Sequence, residues 1–165
     1  MLEPFLLLLA AAAPHFGQPV DSTVAATWDS SIAPDGTGLP AGRGSVSEGA
    51  AIYAGKCSMC HGAEGKGQPA DPLAGGIGTL ASPTPVKTVA SYWPYATTLF
   101  DYIRRAMPVT APRSLSDDEV YALVAYLLSI DGIVKKNAVM DAKTLPKVKM
   151  PNRQGFIDAY RTSRG

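Results

Sequence analysis

Residues 57–61 read Cys57-Ser58-Met59-Cys60-His61, and Cys57 and Cys60 are the only cysteines in the chain. Two thiols three residues apart, followed at once by an imidazole, constrain this sequence more than any other feature. On one helical turn the two thiols face the same way, so both can bond to the vinyl groups of a single porphyrin. The adjacent histidine then lies beneath the iron. The spacing predicts one covalently attached haem c, with Cys57 and Cys60 as thioether anchors and His61 as the proximal ligand.

Two other uses of such a motif fit less well. A structural zinc site takes about four protein ligands, and the one further histidine, His15, stands far upstream in the presumed leader or arm. A redox dithiol expects a strand-rich βαβ setting, whereas this chain reads as helices and loops. A disulfide framework is excluded by two cysteines so close together.

What a haem does depends on its second axial position. With both positions filled by protein, small ligands are excluded and electron transfer remains. Met107 is the leading candidate, because it follows one helix and precedes the last core helix, in a loop where its thioether can reach the far haem face. Packing is the ordinary use of a methionine. Met59 is too close to His61 to serve, and Met150, in Lys149-Met150-Pro151, imitates the Met107-Pro108 context and stands next in line. An open iron position that binds a small ligand is the reading from another functional class.

The periodicity places these residues on an all-α framework. Ser45 and Glu48 form a capping-box pattern for a first helix, with Ala50, Tyr53, Ala54 and Cys57 on one face and Gly62 as its stop. Residues 62–84 read as loop. A short helix is expected from near Pro85 to Trp93, broken by Pro94. Tyr95 to Ala106 forms another, with Leu99, Tyr102, Ile103 and Ala106 inward. Pro108 pushes Met107 toward extended backbone. Ser116 and Glu119 cap the clearest helix, with Asp117 and Asp118 near its positive end. Its apolar stripe is Val120, Leu123, Val124, Leu127 and Leu128, and Gly132 ends it. Trp93, the nearby tyrosines, Arg104 and Arg105 are either ordinary packing and solvated groups or partners for haem propionates. Gly75-Gly76-Ile77-Gly78 lacks a preceding strand and reads as loop at the haem edge, not as a phosphate cradle.

Outside this core lie an apolar segment and two arms. Phe5 to Ala13 is too short to span a bilayer and suits the apolar region of an export signal, although Glu3 and no cation precedes it. The expected division is a signal segment at 1–13, an extended Pro/Gly-rich arm at 14–44, a domain at 45–132, and a tail at 133–165 wrapped on the domain or a partner. Residues 131–165 hold eight Lys or Arg against three Asp, while residues 1–130 hold seven against eleven acids. Net charge is only +1, so nothing points to nucleic acid. A basic tail on an acidic body is a candidate docking device.

Thr88 to Pro108, which includes Tyr92-Trp93-Pro94-Tyr95, resembles the cytochrome subunits of bacterial sulfite and sulfane dehydrogenases, including the Sox-type sulfur dehydrogenase. Trp28 to Pro40, Leu115 to Tyr126 and Lys149 to Phe156 are similar as well, so the likeness covers most of 28–160. The resemblance implies a class I cytochrome c fold in the periplasm, with Cys57, Cys60, His61 and Met107 at the family's thioether, proximal and distal positions. It also implies a molybdenum-cofactor dehydrogenase subunit as electron donor and another cytochrome as acceptor. Some Sox-type members carry a second haem domain; this chain has one attachment motif. A freely diffusing shuttle is the alternative within electron transfer.

Overall fold

A computed structural model describes residues 17–28 and 31–157, which fall into two compact units divided between Ser30 and Ser31. The apolar run Phe5 to Ala13, His15 and the tail beyond Ile157 lie outside the described residues. In the first unit, α1 (Ser22–Trp28) begins where the Asp21 carboxylate accepts from the Thr23 N–H (2.8 Å). This corrects the expectation of a wholly extended arm over 14–44. A single seven-residue helix is too short to show a periodic stripe.

The second unit holds β1 (Arg43–Ser45), α2 (Val46–Lys56), α3 (Ser58–His61), α4 (Val89–Tyr92), α5 (Ala96–Ala106), α6 (Asp117–Ile130) and β2 (Val139–Asp141). The all-α reading holds, with one small antiparallel ribbon added. In it Arg43, Gly44 and Ser45 oppose Asp141, Met140 and Val139. Three-residue strands carry no usable alternation, so this pairing was absent from the sequence pattern.

The two expected capping boxes are present. The Glu48 N–H donates to Ser45 Oγ while Glu48 Oε2 accepts from the Ser45 N–H, and Glu119 and Ser116 do the same for α6. α6 is the centre of the core. Beyond the expected stripe, Tyr121, Ala122 and Ala125 are also buried, because neighbours cover the helix on nearly every side. α2 crosses it so closely that a Cβ on Gly49 would stand 1.9 Å from the Ala122 carbonyl oxygen. The α2 face that is buried is Val46, Gly49 and Tyr53; Ala54, expected inward, is exposed. α5 lays Phe100 against Tyr121, ring centroids 4.4 Å apart. Fully burying side chains such as Phe100 and Leu128 contributes roughly 1.5–3 kcal/mol each.

Two further expectations need correction. α4 starts at Val89 instead of near Pro85, because Thr88 caps it reciprocally with Ser91, and Ser91 Oγ also donates to the Val86 carbonyl. On α5 the buried arc is Ala96, Thr97, Leu99, Phe100 and Ile103. Tyr102 stays 47% exposed and meets Trp93 edge-on at 5.6 Å.

The tail from 133 is a strap. Met140, Leu145, Val148 and Met150 enter the core, while Lys143, Lys147 and Lys149 between them remain exposed. Further along, Asn152 Nδ2 donates to the Tyr92 carbonyl (2.6 Å), the Arg153 guanidinium lies 4.9 Å over the Tyr95 ring, and Phe156 meets Tyr92 edge-on. Pro151 is exposed. Among the described residues no helix is long and apolar enough to cross a membrane.

Candidate functional site

The cysteine motif straddles a break between two helices. Cys57, at φ −126° and ψ −36°, ends α2, and α3 starts afresh at Ser58. The break keeps the spacing of one turn, since the His61 N–H still donates to the Cys57 carbonyl (3.0 Å). Gly62 stops α3 as expected, at φ +71°, where a side chain is disfavoured; a Cβ there would also lie 2.4 Å from the Gly67 carbonyl oxygen. The chain then doubles back. Gly67 N–H donates to the His61 carbonyl and Ala70 N–H to the Cys60 carbonyl, each at 2.8 Å.

This return brings the Asp71 carbonyl oxygen to 3.1 Å from His61 Nδ1. A carbonyl can only accept, so Nδ1 is the donor of this contact, and Nε2 is the ring nitrogen that could face a metal. The same second-shell device fixes the tautomer of metal-bound histidines in general. Asp71 was invisible as a site residue because it acts through its backbone.

Cys57 is half-buried and Cys60 exposed. Burial pushes the Cys57 thiol above its usual range, with the Lys56 ammonium partly offsetting it. A reactive dithiol requires the opposite shift, toward thiolate. Among the described residues no group of three or more His, Cys, Asp or Glu is arranged to hold a metal ion. Two thiols on one turn, beside an imidazole with a free Nε2, can anchor and ligate a porphyrin.

The methionines separate cleanly. Met140 and Met150 are buried in the core and Met59 is 86% exposed. Met107 lies directly after α5 in the extended backbone its proline demanded (φ −115°, ψ 148°), half-buried against the core. Leu73 and Trp93 are likewise half-buried there, and Ile77 and Val86 leave apolar surface open. Apolar loop residues with incomplete burial suit a flat apolar cofactor that would finish covering them.

Several residues with two proposed uses now have partners. Arg104 pairs with Asp117 (2.9 Å) and Arg105 with Asp101. The Gly75 N–H is held by both carboxylate oxygens of Asp131 at 2.9 Å, and the Gly75 carbonyl accepts from Thr88 Oγ1. That ties the glycine-rich loop to the end of α6. Tyr53 was read from the sequence only as a packing residue. Its hydroxyl donates to the Gly62 carbonyl (2.9 Å), and its ring meets Tyr126 at 5.2 Å. Burial, partly offset by a hydrogen bond from the Gly65 backbone, pushes its pKa up to about 12.

Comparison with known proteins agrees with this arrangement. A search of curated protein sequences finds no match. The chain is similar to a chain in the crystal structure of the sulfane dehydrogenase SoxCD from Paracoccus pantotrophus. Identity is 39% over 89% of this chain and 73% of that chain, with a TM-score of 0.82. The family model for cytochrome c matches residues 46–131, from the first turn of α2 to the end of α6 and so across the whole attachment loop. A capped helix leading into Cys57-x-x-Cys60-His61, crossed by a buried C-terminal helix, is thus matched in both sequence and shape, and the chain belongs to the cytochrome c family.

Proposed function

We propose that this chain is a mono-haem electron-transfer subunit of a periplasmic sulfur-oxidising dehydrogenase. Cytochromes c carry covalent haem and move electrons; the finer assignments are as follows. Cys57 and Cys60 would anchor the haem through thioether bonds, and His61 Nε2 and the Met107 thioether would hold its iron. The observation that carries this reading is the His61 Nδ1 to Asp71 carbonyl contact at 3.1 Å, which leaves the opposite nitrogen free beside the two thiols. Bound there, the haem supplies a one-electron iron couple. The protein holds the imidazole in one tautomer, offers a soft thioether that favours ferrous iron, and shields the site with Leu73 and Trp93. Iron held by both side chains would leave no position for a small ligand.

The similarity to a chain of SoxCD supports a molybdenum-cofactor dehydrogenase subunit as donor, acting on sulfite or carrier-bound sulfur, and a downstream cytochrome as acceptor. The division into signal segment 1–13, arm 14–44, domain 45–132 and tail 133–165 fits an exported subunit whose tail docks. Lys135, Lys136, Lys143, Lys147 and Lys149 are all exposed, and none makes an ion pair among the described residues. The nearby Asp141 carboxylate is taken up by Thr144 and the Lys143 N–H.

Protein made in a host that attaches haem c tests the reading by haem staining after denaturing electrophoresis and by haem quantitation. One haem per chain is expected, and none in the Cys57→Ala/Cys60→Ala variant. Haem surviving denaturation in that variant would refute the attachment. Carbon monoxide should leave the reduced spectrum unchanged; ready binding would favour an open iron position.

A further inference from the structure

We propose that the Tyr53 hydroxyl is a positioning group that locks the loop carrying His61 to α2. It goes beyond the ligand assignment above and rests on it only for the consequences at the haem. Tyr53 is 2% exposed on the face of α2 that meets α6. Its ring is accounted for by Tyr126, but its hydroxyl is not needed for that packing. It points instead at the turn just after the histidine, donating to the Gly62 carbonyl (2.9 Å), with the Gly65 backbone beside it. Gly62 and Gly65 both have positive φ and bracket the tight turn Ala63–Gly65. Immediately beyond, Gly67 and Ala70 bond back to the His61 and Cys60 carbonyls, and Asp71 reaches the imidazole. One buried hydroxyl therefore closes a chain of contacts from a rigid helix to the ring nitrogen of the proximal ligand. A phenylalanine would fill the same space and pack on Tyr126 equally well, so the hydroxyl has a role separable from the core.

The test compares holoprotein with Tyr53→Phe and Tyr53→Leu. In the Phe variant the helix content should be unchanged. The amides of Gly67 and Ala70 should exchange about tenfold faster, the loss expected for one buried hydrogen bond. The Met107 amide, bonded to Ile103 at the end of α5, should keep its wild-type rate. The haem methyl resonances of the ferric protein should shift as the imidazole changes its angle. Tyr53→Leu should show these effects together with lost α2–α6 packing. Wild-type exchange at Gly67 and Ala70 in the Phe variant would overturn the proposal, as would equal acceleration at Met107, which marks a general loss of stability. Should the wild-type chain carry no haem, the functional reading fails, while the amide rates still decide what the hydroxyl does.

Discussion

The α2–α6 crossing and the attachment loop meet at Tyr53, yet they are built on opposite principles. At the crossing, side chains do the work: Gly49 lets the backbones touch at Ala122, the Tyr53 ring packs on Tyr126, and reciprocal caps start both helices. In the loop, the backbone does the work. Residues 60–74 are held by N–H to carbonyl bonds and glycines at positive φ, with little apolar burial of their own. The crossing can hold itself together in water, because burial grows with apolar area. The loop has no such apolar core and is held by its backbone bonds. The domain thus has one half stabilised by buried side chains and one half, following the cysteine motif, stabilised by backbone bonds.

Gly49→Ala would break the first half directly. Its Cβ would need to occupy space 1.9 Å from the Ala122 oxygen, and two helices cannot separate without losing contacts along their length. A loss of about 3 kcal/mol is expected, at the upper end of overpacking costs, read as a lower denaturation midpoint at unchanged slope. Near-wild-type stability would show that the crossing is more adaptable than its geometry implies.

Met107→His probes the second half and should leave the first intact. The reduction potential should fall by roughly 0.1 V, a modest part of the ~0.8 V that axial ligands span. The sulfur-to-iron absorption band toward the red should vanish. Met150→Ala, by contrast, removes a core side chain that is 3% exposed and should reduce stability while sparing that band. Reversed outcomes would move the ligand from the α5 loop to the strap.

Acid sharpens the comparison at the N-terminus of α6. The hydrogen bond from Lys56, followed by that from the Ser116 backbone, holds the Glu119 carboxyl below its usual value of 4.5. Because the folded-state value is the lower one, its contribution is complete above about pH 4.5 and fades as pH falls through the depressed value. Glu119→Gln keeps the capping box but removes the charge paired with Lys56, so it should cost about 0.5 kcal/mol at pH 7 and should flatten the acid limb of stability against pH. Equal slopes for both proteins would assign that limb to other carboxylates.

The smallest effect concerns the strap, which belongs to neither half. Lys135/Lys136/Lys147→Gln should leave stability unchanged and slow association with the dehydrogenase partner a few-fold at low salt, since rim charges act mainly on encounter. The difference should shrink as the Debye length falls. Stopped-flow mixing across a salt series reads it, and an unaltered rate at low salt would leave these lysines as solvated surface.

The helical framework was legible because its signals are local. Ser45 with Glu48, Ser116 with Glu119, the apolar spacing of α6, Gly62 and the Met107-Pro108 pair each act within a turn or two of themselves. The thiol and imidazole spacing is local in the same sense, which is why the cofactor class could be read from five residues. Rotational detail on α5 was harder. Phe100 and Tyr102 are similar in size and aromatic character, and only the position of Tyr121 decides that Phe100 turns inward and Tyr102 out to Trp93. The α4 start was misplaced since a Thr/Ser cap competed with a favourable proline.

What the sequence determined by itself is therefore α2, α5 and α6, the caps of α2 and α6, and the chemistry of Cys57-x-x-Cys60-His61, all set by interactions between residues close along the chain. The tertiary structure alone decided that Asp71 orients the His61 ring, that Tyr53 reaches Gly62, that β1 pairs with β2, and that Asn152 ties the strap to Tyr92. The Asp71, Gly62, Tyr92 and ribbon contacts run through backbone groups, which every residue carries alike, and the last two join partners dozens of positions apart. No side-chain pattern announces them. They exist because folding brings these groups within hydrogen-bonding reach of one another, where each backbone donor or acceptor finds a partner.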